Sequence, residues 1–321
     1  MKCRICLQEG DFKQLKLREM MFGFRDNFDY FECGNCGCIQ IAKIPANIEK
    51  YYPSNYYSYT AADVPVKRSF IRRIHFEYHS FGKHRLLGGL LALKFKASKF
   101  YTWLKELQLS NKNESILDVG CGNGQLLKRI YRLGFNDLTG IDPFMDKDVI
   151  YNPQLRLLKK DIFDIQGQFD VIMMHHSLEH MDHQNEVIGK AASLLSEKGR
   201  LLIRIPIVSK PLMEKYGINV VSLDPPRHFY IHSLKSITHL IQQNNLSIYK
   251  TVFDADPFSI LGSEQYSRDI SNVNDDRSYI QNPQNSIFTQ EDLQRFQQEI
   301  DQYNQAGESD SVALYIRKAQ V

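Results

Sequence analysis

No stretch of this 321-residue sequence reaches the ~18 consecutive apolar residues a membrane span needs; the longest candidate, LLGGLLAL at 86–93, is too short. No long apolar leader opens the chain, so no secretory signal is expected and the cytoplasm is the expected compartment. Charge of one sign is also lacking: the formal net charge is +3, which does not mark the whole molecule as a polyanion binder. Cysteine is nearly absent after residue 38, where Cys121 stands alone. The other five (Cys3, Cys6, Cys33, Cys36 and Cys38) crowd the start. Without a leader, that crowding suggests a metal site in a reducing compartment rather than a disulfide framework.

The pairs CRIC and CGNC space four thiols as C-x2-C, 26 residues, C-x2-C. Two such knuckles suit tetrahedral zinc, because each wraps one edge of the ion. Cys3, Cys6, Cys33 and Cys36 are the expected ligands of a structural Zn2+. Cys38 is the spare, and Cys36 and Cys38 can trade roles at this level of reading.

Residues 1–60 read as a small zinc-binding domain with strand-like FDYFEC and CIQIA. A Tyr-rich connector follows, then a helical stretch, together 61–110, with GG at 88–89 as its expected interruption. Nine Lys/Arg against one acid, Glu77, fill residues 67–99. The plain reading is a solvated helical face; the sharper one is a peripheral contact with a membrane or a polyanionic glycan, since bulky apolar residues are mixed in.

From 115 the pattern alternates strand and helix. SILDVG, DLTGID, LRLLKKD, FDVIMMHH, RLLIRIP, LSIYKTVFDA and SVALYIRK read as strands. GQLLKRIYRLG, a helix ending at Gly199, SLKSITHLIQQNN and a helix capped by Thr289 lie between them. This order implies a parallel α/β sheet with helices on both faces. Residues 256–288 are polar and show no period.

In such sheets ligands bind at the carboxyl ends of the strands. At the first strand end stands DVGCGNG, with Gly120, Gly122 and Gly124. The dinucleotide fingerprint would need a glycine at Gln125. Asp118, just before the turn, repels a pyrophosphate but suits a cation. Asp142 ends the second strand, where a carboxylate accepts from ribose hydroxyls. Asp161 follows the third and can accept from an adenine amino group. Together they describe a pocket for a positively charged, non-phosphorylated adenosine, which is S-adenosylmethionine.

LDVGCGNGQLL, GID, FDVIMMHHSLEH and LLSEKGRLLIRIP resemble the sequential motifs of class I S-adenosylmethionine-dependent methyltransferases. The resemblance covers 115 to about 255. It implies a Rossmann-like seven-stranded sheet with an antiparallel last strand, in a domain spanning 111–321. It also implies that Gly120, Gly122 and Gly124 line the methionine and ribose, Asp142 the ribose, and Asp161 with Ile162 the adenine. His176 would sit beside the reacting methyl. With the N-terminal cysteines included, the chain resembles sugar C-methyltransferases and their glycan-pathway relatives. That implies a small-molecule acceptor, a nucleotide-linked sugar or surface-glycan component, and no obligatory nucleic acid.

Histidine suits proton removal near neutral pH. His175 and His176 end the fourth strand, His180 stands one turn on and His228 lies in DPPRHFYIHS; of this cluster His176, His180 and His228 are the catalytic candidates, and His175 reads as packing under the sheet edge. Arg227 replaces a glutamate of the resembled motif and is expected to hold an acceptor anion. Tyr56 and Tyr57 are connector residues that can reach an acceptor. The competing function is an RNA methyltransferase gripping its substrate with the zinc module and basic helices.

Overall fold

The computed structural model describes residues 1–53, 66–96 and 99–319. Tyr56 and Tyr57 lie outside them. The first strands are β1 (Lys13–Arg18), β2 (Asn27–Glu32) and β3 (Ile39–Ile41). Helices α1 (Phe70–Phe81), α2 (Arg85–Lys94) and α3 (Lys99–Glu106) follow. The large domain then runs β4 (Ser115–Val119), α4 (Gln125–Arg132), β5 (Asp137–Ile141), β6 (Val149–Asn152), β7 (Leu155–Leu158) and β8 (Phe169–His175). It continues with α5 (Gln184–Leu194), β9 (Leu195–Pro206), α6 (Lys210–Tyr216), β10 (Tyr230–Ile231), α7 (Leu234–Gln243) and β11 (Leu246–Phe253). It closes with α8 (Phe258–Ser267), α9 (Gln290–Ala306) and β12 (Ser311–Lys318).

Among the described residues the large sheet has eight strands, not the seven expected, in the order β11-β12-β9-β8-β4-β5-β7-β6. The extra strand, β6, is an edge hairpin arm antiparallel to β7. β12 runs antiparallel between β9 and β11. Strand alternation splits the core into two layers. Leu117, Ile172 and Met174 face one side and Ile116, Val171 and Met173 the other. Phe76 of α1 and Leu104 of α3 pack into the second layer, so these helices cover a sheet face.

Three local expectations are corrected. Gly88 and Gly89 lie inside α2; the break falls at Gly82, in the left-handed conformation. A side chain at Gly88 would place its Cβ 2.5 Å from the Tyr78 Cβ, so that glycine serves close packing of α1 on α2. The helix expected to end at Gly199 ends at Leu194, and β9 begins at once. Residues 256–288 contain α8, which is buried on nearly every side and therefore shows no amphipathic period.

The N-terminal sheet is β1-β2-β3-β10: its fourth strand comes from beyond residue 229. Tyr230 pairs with Gln40 and Ile231 with Ile39. The cores of the two sheets are continuous, with Ile5, Leu17 and Tyr30 in the same cluster as Ile203 and Leu223.

Candidate active site and metal centre

Gly120, Gly122 and Gly124 all have positive φ, at 73°, 50° and 70°. A Cβ at Gly120 would lie 2.5 Å from the Ser177 Cβ, and one at Gly124 2.5 Å from Leu157. The turn is thus pressed against Ser177, just past the end of β8, and against Leu157 of β7. The Ser177 hydroxyl donates to the Val119 carbonyl at 2.8 Å, joining the ends of β4 and β8.

Asp142, at the end of β5, accepts from the Gly122 N–H at 2.9 Å through one oxygen and from the Phe144 N–H at 2.9 Å through the other. It braces the turn, and each oxygen keeps a lone pair. Burial raises its carboxyl above the usual range. Asp118 is buried and pushed up to about 8, by burial first and then by the Asp142 charge. Asp161 is exposed and caps the short turn 162–164, accepting from the Phe163 N–H at 3.0 Å; Ile162 beneath it is buried. These residues occupy the carboxyl ends of β4, β5 and β7.

The three histidines gather in a separate place: a cavity of about 670 Å³ beyond the end of β8. Its walls mix Met21, Phe22, Phe258 and Tyr266 with Asp224, Asp256 and Asp310. His176 Nε2 lies 2.5 Å from Arg204 Nη1, and its Nδ1 lies 3.3 Å from Glu179. His180 Nδ1 lies 2.8 Å from the Arg227 carbonyl, and His228 Nδ1 2.8 Å from the Ser222 carbonyl. A carbonyl only accepts, so both Nδ1 atoms carry the proton and both Nε2 atoms keep a lone pair. Burial and the neighbouring His228 lower His180 to about 4. His175, a bystander, packs beside Trp103, and burial lowers it to about 3.

Several residues of this site escaped the sequence reading. Glu179, wholly buried, lies among the histidines. Tyr52, at the mouth of the connector, reaches His180 Nδ1 at 3.2 Å. Arg204 pairs with Asp254 at 2.7 Å and stacks on Trp103. Arg227 was expected to meet an acceptor anion; instead it is fully buried and paired with Glu19 at 2.9 Å and Asp224 at 2.5 Å, so it faces no acceptor. It ties the N-terminal module to the loop that carries His228. Tyr30 helps, donating to the His228 carbonyl at 2.8 Å.

In the N-terminal module Cys3 Sγ and Cys36 Sγ are 3.6 Å apart, as are Cys6 Sγ and Cys33 Sγ. All four sulfurs lie within 4.8 Å of one another. Sulfurs on a tetrahedral zinc at ~2.3 Å would be about 3.8 Å apart, so the four positions fit the ion. Leu7 and Gly37, each following the second cysteine of its knuckle, have positive φ. The Cys36 thiol beside it drives the Cys3 thiol down, towards thiolate. Cys38 is buried and points to the Ile39 carbonyl, outside the set.

A family model described as a methyltransferase domain matches residues 95–251. The mitochondrial ubiquinone biosynthesis O-methyltransferase of Saccharomyces cerevisiae is 34% identical over 111 residues, covering 30% of this chain and 36% of that protein. The human eEF1A lysine and N-terminal methyltransferase is 26% identical over 101 residues, covering 28% and 14%. The chain thus spans about a third or less of these relatives' lengths. Among solved structures, a putative sarcosine dimethylglycine methyltransferase from Galdieria sulphuraria aligns with 77% of this chain and 98% of its own at 13% identity and a TM-score of 0.44. Residues 95–251 thus match a methyltransferase domain, and they carry the parallel strands β5, β4, β8 and β9 around the glycine turn.

Proposed function

We propose that the chain is an S-adenosylmethionine-dependent methyltransferase whose acceptor is a small polyhydroxylated molecule, a sugar that is nucleotide-linked or part of a surface glycan. The observation that carries this reading is the adjacency of the two sites. His176 lines the cavity, and Ser177, the next residue, packs on the glycine turn. Carboxylates, serines and aromatic rings together line the cavity, a mixture that suits a sugar ring. The same carboxylates repel phosphate, so an uncharged sugar ring is what enters this cavity, and the phosphates of a nucleotide-linked acceptor stay outside it.

S-adenosylmethionine supplies a methyl group already activated on a sulfonium sulfur. Gly120, Gly122 and Gly124 would bring backbone against it, Asp118 would face its positive charge, and Asp142 and Asp161 with Ile162 would hold the nucleoside. An imidazole Nε2, of His228 or His180, would take the proton that the acceptor gives up when it receives the methyl group. Positioning and one proton transfer are what the chain must provide.

Asp142→Ala should weaken S-adenosylhomocysteine binding by about a hundredfold in calorimetry, since two charge-assisted contacts and the brace on Gly122 go together. An unchanged affinity would remove the cofactor assignment. With a panel of nucleotide-sugars, His228→Ala should bind cofactor normally and lose turnover.

The zinc module, in this reading, is structural and acts on the site through β3 and β10. Cys33→Ser should lose the metal, expose residues 1–53 to protease and abolish turnover, because binding the ion and folding the knuckles are one event. Full metal content in the variant would contradict the ligand set.

Leu86, Leu90 and Leu93 stand exposed on α2 near Lys83, Arg85 and Lys94. We propose that this face rests on an anionic membrane, which suits an enzyme of surface-glycan assembly. Vesicles with phosphatidylglycerol should sediment the protein, and Leu90→Glu should release it.

A further inference from the structure

Glu179 is 1% exposed, and the one donor near it among the described residues is His176 Nδ1, 3.3 Å from one oxygen and poorly aligned. A buried carboxylate with a single loose donor is costly, and native proteins compensate for it. Its other neighbours bring no donor. His180 and His228 have spent their N–H groups on the carbonyls of Arg227 and Ser222, so their Nε2 atoms are lone-pair acceptors. The two rings are 4.8 Å apart at their centroids. One ligand atom from each of Glu179, His180 and His228 falls within 4.8 Å of the others. Three potential ligands thus lie close together at the cavity wall, and a positive species suits the space between them.

We infer that His180, His228 and Glu179 bind one divalent first-row transition-metal ion, separate from the four-cysteine site. Two imidazoles and one carboxylate suit manganese, iron, cobalt or zinc better than magnesium or calcium, whose sites are built from oxygen. The outer contacts are already those of metal-bound histidines, which hand the far N–H to a carbonyl or carboxylate. Ligands on such an ion sit about 3 Å apart, so the three side chains close by roughly an ångström or more when it binds. The fold places them for this. Glu179 and His180 share the short turn after β8, and the Phe229 N–H donates to the Glu179 carbonyl at 2.8 Å, locking the His228 segment onto that turn. His176 is excluded, since its Nε2 meets Arg204.

The remaining coordination positions open to the cavity. There the ion takes two adjacent oxygens of the acceptor, a vicinal diol or a hydroxy-ketone, and lowers the pKa of the one it holds; with the ion bound, the Nε2 atoms of His180 and His228 are its ligands in place of the base, and the acidified oxygen gives its proton to solvent. This role rests on the methyl-transfer reading; the metal site itself does not.

The test uses the protein purified with its four-cysteine site filled. Titration with Co2+ should show one further equivalent with weak visible bands and no thiolate charge-transfer band, which separates it from exchange at the cysteines. Glu179→Gln and His228→Asn should each weaken that equivalent by at least about tenfold and leave the cysteine-bound metal unchanged. If either variant fails to fold, the wild-type titration decides. No second equivalent at millimolar Co2+ or Mn2+ overturns the inference and leaves a shared proton as the positive species. Equal affinity in both folded variants also overturns it. Calorimetry with S-adenosylhomocysteine on the same sample keeps the two readings apart. Cofactor bound without a second metal defeats only this inference, and metal bound without cofactor defeats only the methyl-transfer reading.

Discussion

Arg227→Ala should cost about 3–5 kcal/mol of stability. The side chain is fully buried, and its guanidinium spans Glu19, Asp224 and the Tyr51 carbonyl. Removing it leaves Glu19 buried with only the N–H groups of Phe22 and Phe24, and Asp224 with no cation beside it. The drop in Tm should be roughly 4–7 °C for a chain of this size. The deficit also depends on pH in a defined direction. Burial opposes ionisation of Asp224, but the Arg227 guanidinium outweighs it and holds the carboxyl below its usual range. A depressed carboxyl contributes stability above its unfolded pKa and loses it as pH falls. That contribution is absent from the variant, so the gap to wild type should be widest near pH 7 and narrow below about pH 4. Urea melts at both pH values measure it. A gap under about 1 kcal/mol at pH 7 would mean the tether carries no net energy.

Asp118→Asn should do the opposite to stability and damage binding. With its carboxyl at about 8, the folded wild type holds a proton that the unfolded chain releases. Protons favour the folded state there, so stability falls as pH rises from about 4 to 8, by up to about 1.4 kcal/mol per unit, and levels off above. The asparagine variant has no such slope. It should gain on wild type across that window in ligand-free melts. Cofactor affinity should move the other way. A sulfonium or ammonium group draws the carboxylate out, so wild-type binding should strengthen as pH rises through 8. The variant should bind about ten- to a hundredfold more weakly, with no such rise, because a charge-assisted contact is lost. Calorimetry at pH 6.5 and 8.5 compares the two slopes. Equal affinities at both would place the cationic end of the ligand elsewhere.

What could be read from the sequence was what is local in it. The turn at 118–124 and the acids at 142 and 161 follow strand ends that the apolar runs mark on their own. The four-cysteine spacing is likewise self-contained. The three histidines were visible as residues, but Glu179 was not. In SLEHMD it resembles any loop acid, and its burial comes from elements far away in the chain. Arg227 was misjudged for the same reason, since Glu19, 208 positions earlier, decides its role. Gly88 read as a helix break because its partner, Tyr78, belongs to another helix. The strand β6 is four residues long and partly exposed, too short for its pattern to stand out.

The shared strand also sets an order of events during synthesis. β1, β2 and β3 are made first, yet the edge of β3 stays open until Tyr230 and Ile231 leave the ribosome. By then β4 to β9 have all been made. The knuckles can form early, but their docking waits for Ser233, which donates to the Cys36 carbonyl at 2.5 Å. A ribosome stalled between residues 60 and 230 would therefore present a bare sheet edge beside four reactive sulfurs. The vulnerable period of this protein is set by the distance along the chain between two halves of one small sheet.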